Sequence, residues 1–145
     1  MSTERFELQR WECLDLLRSA HIGRICIIDH GYPLGLPVNY RLVGTESEPQ
    51  VVMRTSAETL LGRYGGPASL EADMIDEAAG EAWSVIVRGQ VRHVSGAHGL
   101  PDPGPWLIDD RHHWVALDLA AISGRRFIGR AAPDGVAVDW ELRKS

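Results

Sequence analysis

The sequence predicts a mainly β domain in which six or seven antiparallel strands form a barrel or a sandwich, flanked by short helices. Two features of the 145-residue chain predict this class. Most of it divides into strand-length apolar runs, and turns that contain glycine, proline or aspartate separate consecutive runs. So many short strands in one domain-sized chain are typical of antiparallel barrels and sandwiches. We therefore treat residues 1–145 as a single domain.

Two helices are predicted, one before the first strand and one after the third. The first covers residues 7–19, whose apolar side chains recur at three-residue steps: Leu8, Trp11, Leu14 and Leu17. The second is a short helix over 57–64, which two glycines and a proline end.

Seven strands are predicted, and three of them carry a further expectation. Segment 23–29 has no polar face in its middle, so we expect it to be buried on both sides. Pro37 cannot donate a ladder hydrogen bond, so its strand is an edge or is bulged there, and Gly89 indicates a bend or bulge. The loop over 95–105 and the unassigned tail over 130–145 complete the chain. The strands are 23–29, 34–43, 50–55, 68–75, 82–94, 113–119 and 122–129.

Composition excludes several classes of protein. The chain is 44% apolar and 24% charged, which is ordinary for a folded domain and not for a disordered one. No apolar run is long enough to span a membrane, and the N-terminus lacks a signal-peptide core, so we expect a cytoplasmic protein with no membrane partner. A net charge of −5 disfavours a nucleic-acid partner. Cys13 and Cys26 are expected to be reduced.

The strongest candidate site is the end of the third strand, where Arg54, Thr55 and Ser56 precede the short helix and Thr59 follows. A guanidinium and hydroxyl groups near a helix start are groups that bind a phosphate. The simpler interpretation is that Ser56 caps the helix.

Two further stretches carry candidate binding residues. Around Pro37, a bent strand with Val38, Asn39 and Tyr40 exposes backbone groups, and the Asn39 amide is able to bind the edge of a heterocycle; an ordinary edge strand is the alternative. The second stretch is Trp83 and Ser84, where the indole either stacks on a flat ligand or fills the core or an interface.

Familiar catalytic motifs are absent from the sequence. There is no phosphate-binding Walker loop, no nucleophile elbow and no paired-cysteine motif. The adjacent His112 and His113 point to opposite sides of a strand and so do not form a metal site together. We therefore expect no metal and name no catalytic side chain.

The order of these segments resembles the pyridoxamine 5′-phosphate oxidase-like, flavin-binding split-barrel family, in particular its small actinobacterial-type branch. The resemblance covers roughly residues 7–129. It is carried by the first helix and by GRICIID (23–29), YPLGLPVNY (32–40), VVMRTS (51–56), LEADMID (70–76), AWSVIVRGQV (82–91) and ISGRRF (122–127).

This resemblance implies a six-stranded antiparallel split barrel that forms a homodimer, with flavin mononucleotide (FMN) in two grooves between the subunits. It implies that Arg54–Thr55–Ser56 and the start of the next helix, with Thr59 and Leu60, hold the phosphate. The backbone of residues 37–40 would lie along the isoalloxazine ring. Residues Trp83, Ser84 and Val85 would approach the cofactor, commonly from the partner subunit. The implied activity is that of an FMN-dependent oxidoreductase acting on a small molecule.

The sequence departs from this family at one position that bears on the phosphate. The family often has a lysine where this chain has Leu60, and Glu58 adds a negative charge nearby; Arg63 is a candidate replacement. Two alternatives therefore stay open. One is a deazaflavin (F420)-binding reductase, for which Arg41, Arg63 and Arg88 are candidate cations. The other is a non-redox split-barrel dimer that has lost flavin affinity.

Overall fold

The computed structural model describes residues 4–56, 59–94 and 113–129. The loop predicted over 95–105, the tail over 130–145, Glu58 and His112 lie outside them. Within the described residues there are two helices, α1 (Arg10–Ser19) and α2 (Leu60–Arg63), and eight strands. The strands are β1 (Glu4–Glu7), β2 (Ile22–Asp29), β3 (Tyr32–Gly44), β4 (Pro49–Thr55), β5 (Gly66–Asp76), β6 (Glu81–Val94), β7 (His113–Asp118) and β8 (Ala121–Ile128).

Strands β2 to β8 are the seven that the sequence predicts, and β1 is an addition. β1 is a four-residue strand that pairs with β8, and all four of its residues are exposed. Its charged sequence, ERFE, carries no buried alternating face, so a pattern-based prediction misses it.

The strand order closes six strands into a barrel. Hydrogen-bonded neighbours run β6-β5-β2-β3-β4-β7, and β7 pairs back onto β6. All pairings are antiparallel. The first half of β6 pairs with β8 and its last four residues pair with β7, so two strands share one edge of β6. This arrangement confirms the split barrel.

Gly89 lies where the edge of β6 passes from β8 to β7. Of the predicted bend or bulge, the bulge is wrong, because the β5–β6 register continues without interruption from Gly66↔Val91 to Asp76↔Glu81. Glycine is required at position 89 because the backbone of β6 lies very close to the backbone at the end of β7. A Cβ atom at this position would lie 1.5 Å from the carbonyl oxygen of Asp118, at the end of β7.

The predicted face of helix α1 is confirmed at Leu14 and Leu17, which are buried, and at Leu8, which packs against the core, but it is wrong at Trp11. Its buried residues are Cys13, Leu14 and Leu17, whereas Trp11 is 63% exposed. Each three-residue step falls about 60° short of a full turn of an α-helix. A row of residues spaced in threes therefore moves around the helix, and part of it faces away from the barrel. Cys13 packs at Gly124 of β8, where a Cβ atom would lie only 2.8 Å from the Cys13 sulfur.

Strand β2 is buried on one side only, so the expectation of burial on both sides is wrong. Gly23, Ile25 and Ile27 point into the barrel, while Ile22 and Ile28 are 48% and 53% exposed. With the alternating residues of β3, β5 and β6 they form a surface that we call the outer face. It comprises Ile22, Arg24, Cys26 and Ile28; Pro33, Gly35, Pro37 and Asn39; Ser69, Glu71, Asp73 and Ile75; and Ser84 and Ile86.

No helix within these ranges has the length and apolar character needed to cross a membrane.

Candidate functional site

The turn between β4 and α2 is organised by two threonine hydroxyls. The Thr59 hydroxyl donates to the carbonyl of Ser56 (2.9 Å) and accepts from the amide of Gly62 (3.0 Å). The buried Thr55 hydroxyl therefore donates to the Thr59 oxygen, 2.6 Å away. Thr59, not Ser56, is the residue that caps α2, so the predicted cap at Ser56 is wrong. Ser56 contributes its carbonyl oxygen.

Two arginines lie at this turn. Arg54 is half-buried, and its guanidinium carbon lies 5.9 Å from the centre of the Trp114 ring on the neighbouring strand β7. Arg63 is exposed and its Nε donates to the carbonyl of Thr59 at 3.4 Å. Leu60, 37% exposed, begins the single turn of α2 and provides no charge.

The stretch 37–40 lies directly beside this turn. Strand β3 pairs with β2 along residues 32–39, but its described ladder with β4 begins only at Tyr40↔Met53. Among the residues that the structure describes, none pairs with 33–38 on the β4 side, so this stretch is an edge there, as Pro37 predicts. One step beyond the Tyr40↔Met53 pair, Asn39 on β3 and Arg54 on β4 lie next to each other.

Tyr40 has a structural side chain. It is fully buried, and its hydroxyl donates to the carbonyl of Leu17 in α1 at 2.7 Å. Burial raises the pKa of this phenol above its ordinary value. The Tyr40 amide donates to the carbonyl of His21 (3.0 Å), and the Tyr40 carbonyl accepts from Arg41 (2.8 Å). Tyr40 thus ties α1 to the barrel beside the candidate site.

The third stretch, 83–85, lies apart from the other two in a single chain. The side chains of Trp83 and Val85 point into the core, which is the simpler interpretation of Trp83. Ser84 is on the outer face, opposite Asp73 of β5 and Arg125 of β8. Strands β2 and β5 separate β6 from β3, a distance of about 14 Å at about 4.8 Å per strand.

The sequence profile of the pyridoxamine 5′-phosphate oxidase family matches residues 9–126. The chain belongs to this family.

Three similar proteins come from actinobacteria. The FAD-binding protein of Mycobacterium smegmatis is 31% identical, covers 86% of this chain and 99% of its own, and superposes with a TM-score of 0.65. A conserved protein of unknown function from Corynebacterium diphtheriae is 26% identical, covers 86% and 98%, and has a TM-score of 0.71. An uncharacterised protein of Mycobacterium tuberculosis is 28% identical over 137 residues, which are 86% of this chain and 87% of the relative.

Two features of this family member were missed by sequence reasoning. The Nε2 atom of His113 lies 2.6 Å from the Nδ1 atom of His93 on β6. His113 also lies opposite Thr55 of β4. Because this contact depends on the pairing of β6 with β7, no local sequence motif predicts it. No cluster of three or more metal-ligating side chains occurs within the described ranges.

The second missed feature is a carboxyl pair on the outer face, formed by Glu71 and Asp73 of β5. The alternation of LEADMID places both on one side of the strand, which is a readable signal. That they lie opposite Arg24 of β2 depends on the strand order.

Proposed function

We propose that this protein is a cytoplasmic, FMN-dependent oxidoreductase that acts on a small molecule, with its cofactor sites at the interface of a homodimer. The observation that carries the proposal is the adjacency of the β3 edge at 33–38, Asn39, Arg54 and the Thr59 turn. A guanidinium suited to an anion and a strand edge suited to a heterocycle lie side by side there. The M. smegmatis relative, similar over nearly its whole length, is described as FAD-binding.

The residues at this place fit the two ends of a flavin nucleotide. The Arg54 guanidinium is a planar fork suited to a phosphate, and its position over Trp114 restricts its motion. Arg63 adds a second positive charge at the turn, where Leu60 provides none. The edge of β3 offers backbone donors and acceptors to a ring, with the Asn39 amide beside them.

A bound flavin would supply the electron transfer, as in flavoproteins generally. The protein would hold the phosphate at Arg54 and align the ring along β3. We assign no proton donor or acceptor for this reaction.

The homodimer is supported by the separation of the candidate stretches. Residues 83–85 are three strand spacings from 37–40, about 14 Å measured along the curved sheet of the same chain. If all three stretches contact one cofactor, a second copy is the simplest source of the third.

The decisive test is the visible absorbance spectrum of the purified protein, with mass spectrometry of any released cofactor. We expect flavin absorbance and FMN; release of FAD or F420 would replace FMN in the proposal, and F420 would direct attention to Arg41 and Arg63. Arg54→Ala should weaken FMN binding by about tenfold to a hundredfold, the loss of a charged hydrogen bond. Arg18→Ala, which removes an exposed arginine of α1, is the matched control. A colourless protein that gains no thermal stability with any flavin would refute the proposal.

Leu60 favours a second candidate, a dimer with no redox role. It begins α2 at the phosphate end of the site and carries no charge where the family often has lysine. A colourless preparation that is nevertheless dimeric is the result this alternative predicts.

A further inference from the structure

A three-residue charged cluster lies at the centre of the outer face. Arg24 of β2 is opposite Glu71 of β5, and its guanidinium nitrogen lies 4.0 Å from a Glu71 oxygen and 3.9 Å from an Asp73 oxygen. Two carboxyl groups therefore share one partner of opposite charge.

Glu71 is the unusual member of this cluster. Its side chain is only 26% exposed. Burial, a hydrogen bond with Asp73 and the Asp73 charge raise the pKa of Glu71 to about 7, and Arg24 opposes these effects. The pair therefore holds a proton near neutral pH, unlike two solvated carboxylates.

In the described strand pairings, Arg24 is the only positively charged residue directly opposite Glu71. On β2, the next residue of this face is the Cys26 thiol, opposite Ser69. On β6, the residues opposite Glu71 and Asp73 are Ile86 and Ser84, and Arg88 lies opposite Ser69. Arg125 of β8 follows beyond Ser84.

Apolar side chains surround the cluster on the same face. Ile22 and Ile28 of β2 are about half exposed, and so is Ile75 of β5. Pro33, Gly35 and Pro37 of β3 add a surface without long or polar side chains. Exposed apolar side chains grouped around a partly buried ion pair are typical of a surface that another protein covers.

The occupant that fits is a second copy of this chain. In a two-fold pair each subunit presents the same patch, so the exposed Ile22, Ile28 and Ile75 side chains of one copy are able to cover the cluster of the other. The cluster, on β2 and β5, also lies between residues 37–40 and 83–85, the two stretches that the proposed dimer must bring together.

We propose that the Arg24–Glu71–Asp73 cluster makes the pairing of two copies across the outer face depend on pH, with Glu71 carrying a proton when the face is covered. This inference rests on the dimer of the proposed function. Covering the face removes the remaining water from Glu71, which favours its neutral form further. The dimer is then tightest at pH values below the pKa of Glu71 in the free subunit. Its affinity falls as pH rises above that pKa.

The test is the dimer dissociation constant, measured by sedimentation velocity at fixed ionic strength from about pH 5 to about pH 9. We expect a constant value below about pH 7, where Glu71 is protonated in the free subunit. Above that point the constant should rise by up to about 100-fold per pH unit, because two Glu71 carboxyls must take up protons per dimer.

Two variants make the test specific. Glu71→Gln should dimerise with a dissociation constant that no longer changes with pH, since the amide imitates the protonated acid. Asp73→Asn should move the rise to lower pH, because it removes a charge that raises the pKa of Glu71. Glu46→Gln, at an exposed acid in the β3–β4 turn, should behave as the wild type.

The outcomes separate this inference from the function it rests on. A dimer whose dissociation constant is the same across the pH range, or a Glu71→Gln variant that keeps the wild-type pH dependence, overturns the inference alone. A chain that is monomeric at every pH overturns the proposed dimer as well.

Discussion

Replacing Gly89 by alanine should push β7 away from β6, the two strands whose pairing closes the barrel. The new Cβ atom would lie 1.5 Å from the Asp118 carbonyl oxygen and 2.7 Å from its carbon, and real Cβ contacts are not shorter than 3.0 Å. The end of β7 must therefore retreat by about 1.5 Å. Since the obstacle is backbone and not a flexible side chain, we expect a loss of at least about 3 kcal/mol, the upper end of overpacking costs.

Urea unfolding followed by tryptophan fluorescence, at one protein concentration, measures this loss. The midpoint should fall by about 1–3 M for a slope of about 1–3 kcal/mol/M. Gly65→Ala is the control, because its Cβ atom meets nothing within 4 Å; it should be neutral or stabilising by up to about 1 kcal/mol. A Gly89→Ala midpoint equal to that of the wild type would refute the argument that this approach of β6 to β7 requires glycine.

Three other substitutions test the site and its supports. Tyr40→Phe leaves the Leu17 carbonyl without its buried donor and should cost about 1–3 kcal/mol in urea unfolding, with unchanged flavin affinity because the side chain points into the core. Thr59→Ala removes the α2 cap and the acceptor of the Thr55 hydroxyl; a loss of about 1–2 kcal/mol is expected in the same assay, and no loss would refute the capping role. Leu60→Lys should strengthen FMN binding by about tenfold in a fluorescence titration, as one additional charged contact implies, and an unchanged dissociation constant would show that residue 60 is remote from the phosphate.

Local patterns were sufficient to predict most of the fold, because most strands are apolar runs bounded by turn residues and several of them alternate. In β5, Ala68, Leu70 and Ala72 are buried as the alternation predicts, although Met74 near the strand end is exposed. The failures have local causes. β1 has no apolar face, and the apolar outer side of β2 looks like core in a sequence although the single chain leaves it exposed.

The site was less predictable, because its contacts depend on strand order. The proximity of Asn39 and Arg54 follows from β3 and β4 being neighbours, which a hairpin prediction anticipates. The contact of Arg24 with Glu71 requires β2 to pair with β5, and that of His93 with His113 requires β6 to pair with β7. β2 and β5 are distant in sequence, and residues 95–112 separate the consecutive strands β6 and β7, so no local pattern encodes either pairing.

In the proposed dimer, cofactor binding, subunit pairing and protonation would be linked because all three involve one surface. The strands that separate the two halves of the proposed site, β2 and β5, are the strands that carry Arg24, Glu71 and Asp73. If a flavin contacts residues of both subunits, it binds the dimer more tightly than the monomer, and linkage requires that it strengthen pairing by the same factor. In the proposed pH dependence, protonation of Glu71 would favour the same paired state. Added flavin should therefore move the loss of the dimer to higher pH, and flavin affinity should fall with pH over the range in which the dimer dissociates.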